Sequence, residues 1–183
     1  MYQHDLEKDD SQLAEWYNAI SGSYDELYGE EQSSKYETVL GFLGTGHFRV
    51  IIDIGCGTGT FLEKAHEIYD HAIGIDLSPK MLRIAMKRKT ANTDYVLASS
   101  NSLPIKNASS DFTVSISTAK AGSNLPSFIA DIRRIGRKDS LLAFTLFQDP
   151  GLPNPESLAK PVRSTIISDR ETLYFLRIAD ALE

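Results

Sequence analysis

Apolar residues along this chain fall into two alternating rhythms. Val50 to Ile54 is a β-branched run interrupted only by Asp53, which suits a strand buried in a parallel sheet. Short runs of the same kind recur at His71 to Ile75, Tyr95 to Ala98, Phe112 to Ser117 and Leu141 to Phe147. Between them the spacing changes to that of a helix. Phe61, Leu62 and Ala65 carry one such stripe, Met81, Ile84 and Ala85 a second, and Phe128, Ile129, Ile132 and Ile135 a third. Ser78 is placed to cap the second of these helices and Pro79 to open it, and Pro126 lies near the start of the third.

Two helices are predicted ahead of the first strand. Ser11 is placed to cap one that carries Leu13, Trp16, Tyr17 and Ile20, and Gly22 interrupts it. Ser33 is placed to cap the other, which carries Tyr36, Val39, Leu40 and Leu43 and ends at Gly44 and Gly46. Beyond the fifth strand, Pro150 to Pro161 reads as loop, and Ser164 to Ile178 as two closing strands around Ser168-Asp169-Arg170. Strands alternating with helices predict an α/β fold, a doubly wound and mostly parallel seven-stranded sheet with helices on both faces. In such a fold the ligand crevice lies at the carboxyl ends of the first strands. The expected organisation is one domain over 1–183, with a helical lid or substrate segment at 1–46 and the Rossmann-like core at 47–183.

The chemistry concentrates where the first strand ends. Gly55, Gly57 and Gly59 follow at every second position, and the next helix begins at once. A glycine-rich turn between strand and helix lets the backbone approach a ligand closely and presents free N–H groups to an anion. A dinucleotide fingerprint wants a third Gly or Ala at the position held here by Thr60. The run is Asp53-x-Gly55-x-Gly57-x-Gly59 instead. The second strand ends at Asp76, about 20 residues past the glycines, where a doubly wound fold places an acid to hold a ribose diol.

Composition narrows the setting. The chain has 183 residues, enough for one well-filled core, and is 42% hydrophobic. No apolar stretch approaches the roughly 18 residues of a membrane helix, and the polar, acidic N-terminus has no signal-peptide pattern. Cys56 is the only cysteine, so no intramolecular disulfide is possible and a cytoplasmic location is expected. The net charge of −6 disfavours a stand-alone nucleic-acid binder, which needs a clustered basic face. No metal-ligating group is expected.

The D-x-G-x-G-x-G run resembles motif I of class I S-adenosylmethionine-dependent methyltransferases, and the chain is most similar to their small ubiquinone-type group. Tyr24-Asp25-Glu26-Leu27-Tyr28 resembles the Tyr-Asp lead-in of that group, and Asn101-Ser102-Leu103-Pro104-Ile105 resembles its Glu-x-Leu-Pro-Phe segment. Ser110-Asp111-Phe112 and the basic turn between Ile132 and Leu142 extend the likeness. Two departures stand out: Ser99 where many relatives have Asp, and the plain segment Thr118-Ala119-Lys120-Ala121-Gly122 after the fourth strand.

The resemblance implies S-adenosyl-L-methionine as cofactor. Its carboxylate suits the N–H groups of Gly55, Cys56, Gly57 and Gly59, its ammonium suits Asp53, and its ribose hydroxyls suit Asp76. Leu77 and Met81 are placed against the adenine face, Ser99 and Ser100 at its edge. Ser117 and Tyr24 complete the expected cofactor set, and Tyr17, Tyr24 and Tyr28 are candidates for a lid. No catalytic acid or base is identified, and positioning can supply much of the acceleration of a methyl transfer. The acceptor is unidentified. The acidic balance favours a small molecule over a macromolecular acceptor such as tRNA or a protein, whereas Lys80, Arg83, Lys87 and Arg88, spaced along one helix, would favour RNA. Two alternatives remain: a non-catalytic S-adenosylmethionine-binding subunit that supports a partner, and an NAD-dependent oxidoreductase.

Overall fold

The computed structural model describes residues 9–118, 125–147, 162–168 and 171–178. The chain opens with two helices, α1 (Asp10–Ile20) and α2 (Tyr24–Leu43). Then follow β1 (Phe48–Ile54), α3 (Thr60–Lys64), β2 (Tyr69–Asp76), α4 (Pro79–Ala85), β3 (Thr93–Leu97) and β4 (Ser110–Ser115). The remainder is α5 (Leu125–Ile135), β5 (Gly136–Phe147), β6 (Arg163–Ser168) and β7 (Glu171–Arg177).

The strands form one seven-stranded sheet in the order β3-β2-β1-β4-β5-β7-β6. Pairings among β1 to β5 are parallel, while β7 runs antiparallel to both β5 and β6. The doubly wound reading therefore holds, with the two closing strands as an antiparallel hairpin. The strand order reverses between β1 and β4, and the crevice of a doubly wound sheet opens at that reversal.

Alternation along β1 sends its side chains to two cores. Ile52 and Ile54 join Ile75, Leu142 and Phe144 under the stripe Leu125, Phe128, Ile129, Ile132 and Ile135 of α5. Ile51 joins Phe112, Val114, Leu173 and Phe175 under α2 and α3, whose Val39, Phe61 and Leu62 are fully or almost fully buried. Phe42 of α2 stacks on Phe175 of β7 with ring centroids 3.8 Å apart.

Two expected helix starts are displaced. Asp9, not Ser11, caps α1, through a reciprocal pair of hydrogen bonds with Gln12. Ser33 lies inside α2, which starts at Tyr24. The first two turns of α2 bury nothing and the middle buries Gln32 and Lys35 rather than an apolar stripe, so hydrophobic spacing has nothing to reveal ahead of Tyr36 and Val39. Gly44 ends α2 at φ 59, as its position suggested. The loop expected over Pro150 to Pro161 lies outside the described residues, as does the segment from Ala119 to Gly122.

The core on the α5 face has no slack to lose. Ile132→Ala should lower unfolding free energy by about 2–5 kcal/mol through lost transfer energy and a residual cavity, because Ile132 is fully buried. Urea unfolding measures it.

Candidate cofactor site at the carboxyl ends of the strands

The turn after β1 is left-handed at every second residue. Gly55, Gly57 and Gly59 have φ of 76°, 52° and 80°. Crowding adds to the need for glycine. A Cβ at Gly55 would lie 1.9 Å from Thr118 Oγ1, and one at Gly59 would lie 2.5 Å from Tyr95 Oη and 2.9 Å from Ala85 Cβ. The close approach of loop to helix thus falls at Gly59, and Thr60 simply opens α3. Nothing lies within 4 Å of a Cβ at Gly57, so the middle of the turn faces open space.

Two carboxylates flank this turn. Asp53 on β1 is 4% exposed, and its pKa is pushed up to about 8, first by burial and then by the like charge of Asp76. Asp76 at the end of β2 accepts from Gly57 N–H at 2.9 Å through Oδ2 and from Ser78 N–H at 2.8 Å through Oδ1. Burial lifts its pKa to about 6, and those backbone N–H groups hold it from rising further. The backbone N–H groups of Gly57, Leu77 and Ser78 together leave the Asp76 carboxylate one lone-pair site for a further donor such as a ribose hydroxyl. Two acids that repel each other in a buried crevice suit a cationic ligand. The open face of the turn at Gly57 leaves room for it beside them, although the N–H groups of Gly55, Cys56, Gly57 and Gly59, expected to meet a carboxylate, bond within the protein instead. The residues present therefore fit S-adenosylmethionine.

The other expected residues lie around the same crevice with differing exposure. Cys56 is buried beneath the turn, its thiol pushed well up by burial, Asp53 and Asp76, and its N–H donates to the Ile75 carbonyl at 3.0 Å. Met81 is almost fully buried in α4, while Leu77 is half-buried just past β2. Ser99 and Ser100 are half-buried beyond β3, and the Ser99 hydroxyl accepts from Asn101 N–H at 3.0 Å. Ser117 adjoins the crevice at the end of β4, but its hydroxyl is taken up by Gln32, Lys35 and Glu171. Tyr24 opens α2, in ring contact with Tyr17 at 6.3 Å and Tyr28 at 5.1 Å between centroids.

What the sequence did not reveal is how the N-terminal helices are tied down. Each strand-end loop of the crevice receives a polar side chain from α1 or α2. Asp25 accepts from Thr58 Oγ1 of the glycine turn at 2.7 Å. Asn18 Oδ1 accepts from Ser78 Oγ at 2.8 Å and Lys80 N–H at 3.1 Å, past β2. Asp10 accepts from Asn101 past β3, and Gln32 and Lys35 donate to Ser117 past β4. Arg88 also belongs to this set: it donates to Asp25 at 2.5 Å and to the Thr58 carbonyl at 2.9 Å. The basic stripe is thereby broken at Arg88. Among the described residues, no group of three or more His, Cys, Asp and Glu could hold a metal.

A family model described as a methyltransferase domain matches residues 52–144, half of the chain. The chain belongs to the class I S-adenosylmethionine-dependent methyltransferases. S-adenosylmethionine is the cofactor of this family, and the nicotinamide alternative is set aside. The methyltransferase domain is 30% identical over 134 residues to malonyl-[acyl-carrier protein] O-methyltransferase of Serratia marcescens, covering 73% of this chain and 51% of that protein. It spans about half the length of the curated relatives it matches. Its fold resembles a methyltransferase seen in complex with the Trm112 methyltransferase activator of Haloferax volcanii, with TM-score 0.77 at 12% identity. That likeness covers 90% of this chain and 96% of the other. A SAM-dependent methyltransferase from Aquifex aeolicus gives TM-score 0.64 at 17% identity, covering 94% and 100% of the two chains.

Asp53 generates a pH prediction. Its carboxyl titrates at 3.8 when unperturbed and at about 8 in the fold. Between those values the fold holds a proton that the unfolded chain has released. Stability of the ligand-free protein therefore falls as pH rises toward 8. Thermal melts between about pH 5.5 and 8.5 should show that decline, and Asp53→Asn should flatten most of it. An undiminished slope in the variant would remove Asp53 from the titration.

Proposed function

We propose that this domain holds S-adenosylmethionine across the carboxyl ends of β1 to β4 and moves its methyl group to an acceptor enclosed by α1 and α2. The observation that carries this reading is the joint geometry of the open Gly57 turn and the two facing acids, Asp53 and Asp76. The N–H groups of Gly55, Cys56, Gly57 and Gly59 are bonded within the protein, so the cofactor's carboxylate would lie along the open face of the turn at Gly57 rather than on those donors, with Asp53 at its ammonium and Asp76 at its ribose. Leu77 and Met81 would pack on the adenine, with Ser99 and Ser100 at its edge. Bound there, the cofactor supplies a methyl group activated by a positive sulfonium. The contribution of Ser117 would come from its backbone carbonyl, because its hydroxyl and its N–H are both engaged elsewhere.

The chain's own task is then positioning and exclusion of water. Tyr17, Tyr24 and Tyr28 form a continuous aromatic row on α1 and α2, and aromatic faces tolerate a nearby cation. Residues 9–46 act as the lid, fastened to each strand-end loop by the side chains described above. A small-molecule acceptor is favoured over tRNA. The net charge is −6, and Arg88 is held by Asp25 rather than offered to a phosphate. The named O-methyltransferase relative supports an oxygen atom as acceptor. The cytoplasm is the proposed location; among the described residues no helix is long and apolar enough to cross a membrane.

A second reading has one observation behind it. A methyltransferase of nearly the same extent has been solved with an activator protein. On that reading this domain binds the cofactor but needs a partner chain to act.

Incubation with methyl-labelled S-adenosylmethionine and fractionated extract tests both. Label in the small-molecule fraction is expected. Label in RNA or protein would overturn the acceptor class, and cofactor binding without any transfer would favour the partner reading. Asp76→Ala should weaken binding of S-adenosylhomocysteine by about 1–3 kcal/mol in calorimetry, since a charged hydrogen-bond acceptor is lost. An unchanged affinity would remove Asp76 from the site.

A further inference from the structure

A buried ion pair lies where α2 crosses the end of the sheet. Lys35 is 4% exposed and Glu171, the first residue of β7, is 1% exposed. Lys35 Nζ donates to Glu171 Oε2 at 2.6 Å, to Glu31 Oε1 at 2.7 Å and to Ser117 Oγ at 2.9 Å. These bonds use all three ammonium donors. Ser117 Oγ in turn donates to Glu171 Oε1 at 3.2 Å and accepts from Gln32 Nε2 at 3.2 Å. The hydroxyl is saturated from within the protein.

Such a pair adds little net stability, because burying both charges removes their hydration. Its benefit is a single geometry, and the surroundings show which geometry is held. Ser117 has φ 56, a left-handed conformation that costs about 1–3 kcal/mol for a residue with a side chain. Its N–H donates to Thr145 Oγ1 at 2.7 Å, so both its backbone and its side chain are fixed. The next residue, Thr118, fills the space where a Cβ of Gly55 would stand. A chain of contacts thus runs from Lys35 and Glu171 through the Ser117 hydroxyl and the Thr118 side chain to the first glycine of the cofactor turn.

We infer that the Lys35–Glu171 pair positions the cofactor turn, by holding the Ser117–Thr118 bend against Gly55. Neither charge touches the cofactor; both act through Ser117. The same helix carries Asp25, bonded to Thr58 on the other side of the turn. α2 therefore fixes the glycine turn from two directions, and the pocket for S-adenosylmethionine depends on a residue of β7 that is distant in sequence.

The test needs no acceptor. Calorimetric affinity for S-adenosylhomocysteine and the thermal midpoint are measured for the full chain, for Glu171→Gln, for Lys35→Met, and for the double variant Lys35→Met/Glu171→Met. Each folded single variant should bind at least tenfold more weakly than wild type. The double variant carries no buried charge. It should recover most of the lost thermal midpoint while its affinity stays at least tenfold down. A purely structural pair would behave otherwise: affinity would return together with the thermal midpoint. That recovery, or wild-type affinity in either folded single variant, would overturn the inference. Absence of label transfer to an acceptor would leave these affinities unchanged, so failure of the proposed reaction is separable from failure here.

Discussion

The left-handed turn after β1 is the constraint on which the rest of the site depends. Three alternating residues with positive φ can be supplied at low strain only by glycine, and here two of the three also lack room for a Cβ. The turn drops the chain from β1 into α3, and the N–H groups of Gly55, Cys56, Gly57 and Gly59 all bond within the protein. It brings Gly57 within hydrogen-bond reach of Asp76 and leaves Asp53 buried behind it. A side chain at Gly55 would displace Thr118, and with it the bend that follows β4. Sheet topology places this turn beside the reversal between β1 and β4, so a backbone with no room for a Cβ at Gly55 and Gly59 stands at the crevice.

Electrostatics explains why the two acids suit a cationic ligand. Burial alone disfavours ionisation of Asp53, and Asp76 disfavours it further. Backbone N–H groups favour the ionised form of Asp76 only in part. The pair is therefore frustrated in the absence of a cation, which is common where a pocket is shaped for binding rather than for stability. Polar tethers from α1 and α2 then determine how the crevice is covered. Such a cover excludes water and strengthens every charge interaction beneath it.

The central part of this was legible in the sequence, because it is local. The apolar run into Asp53, the alternating glycines and the acid at the end of the next strand are each set by backbone geometry within a few residues. The five parallel strands and α5 were legible for the same reason. The tethers were not. Thr58 and Asp25 are separated by 33 positions and Lys35 and Glu171 by 136, and no period links either pair. The start of α2 was missed because its first two turns bury no apolar stripe, so a serine in the middle of the helix resembled a cap. Arg88 read as part of a solvent-facing stripe because helical spacing shows a side chain's face and not its partner.

On the proposed function, buried Asp53 and half-buried Asp76 form an acidic pair that a cationic cofactor neutralises. The most direct measurement is the proton balance of binding. S-adenosylhomocysteine, which shares the ammonium, is titrated calorimetrically near pH 7 in buffers of different ionisation enthalpy. With the Asp53 carboxyl titrating at about 8 in the ligand-free protein, most of it is protonated at that pH. An arriving ammonium drives it to ionise, so binding should release a large fraction of a proton. Binding heats that are independent of the buffer, or that report proton uptake, would contradict the account.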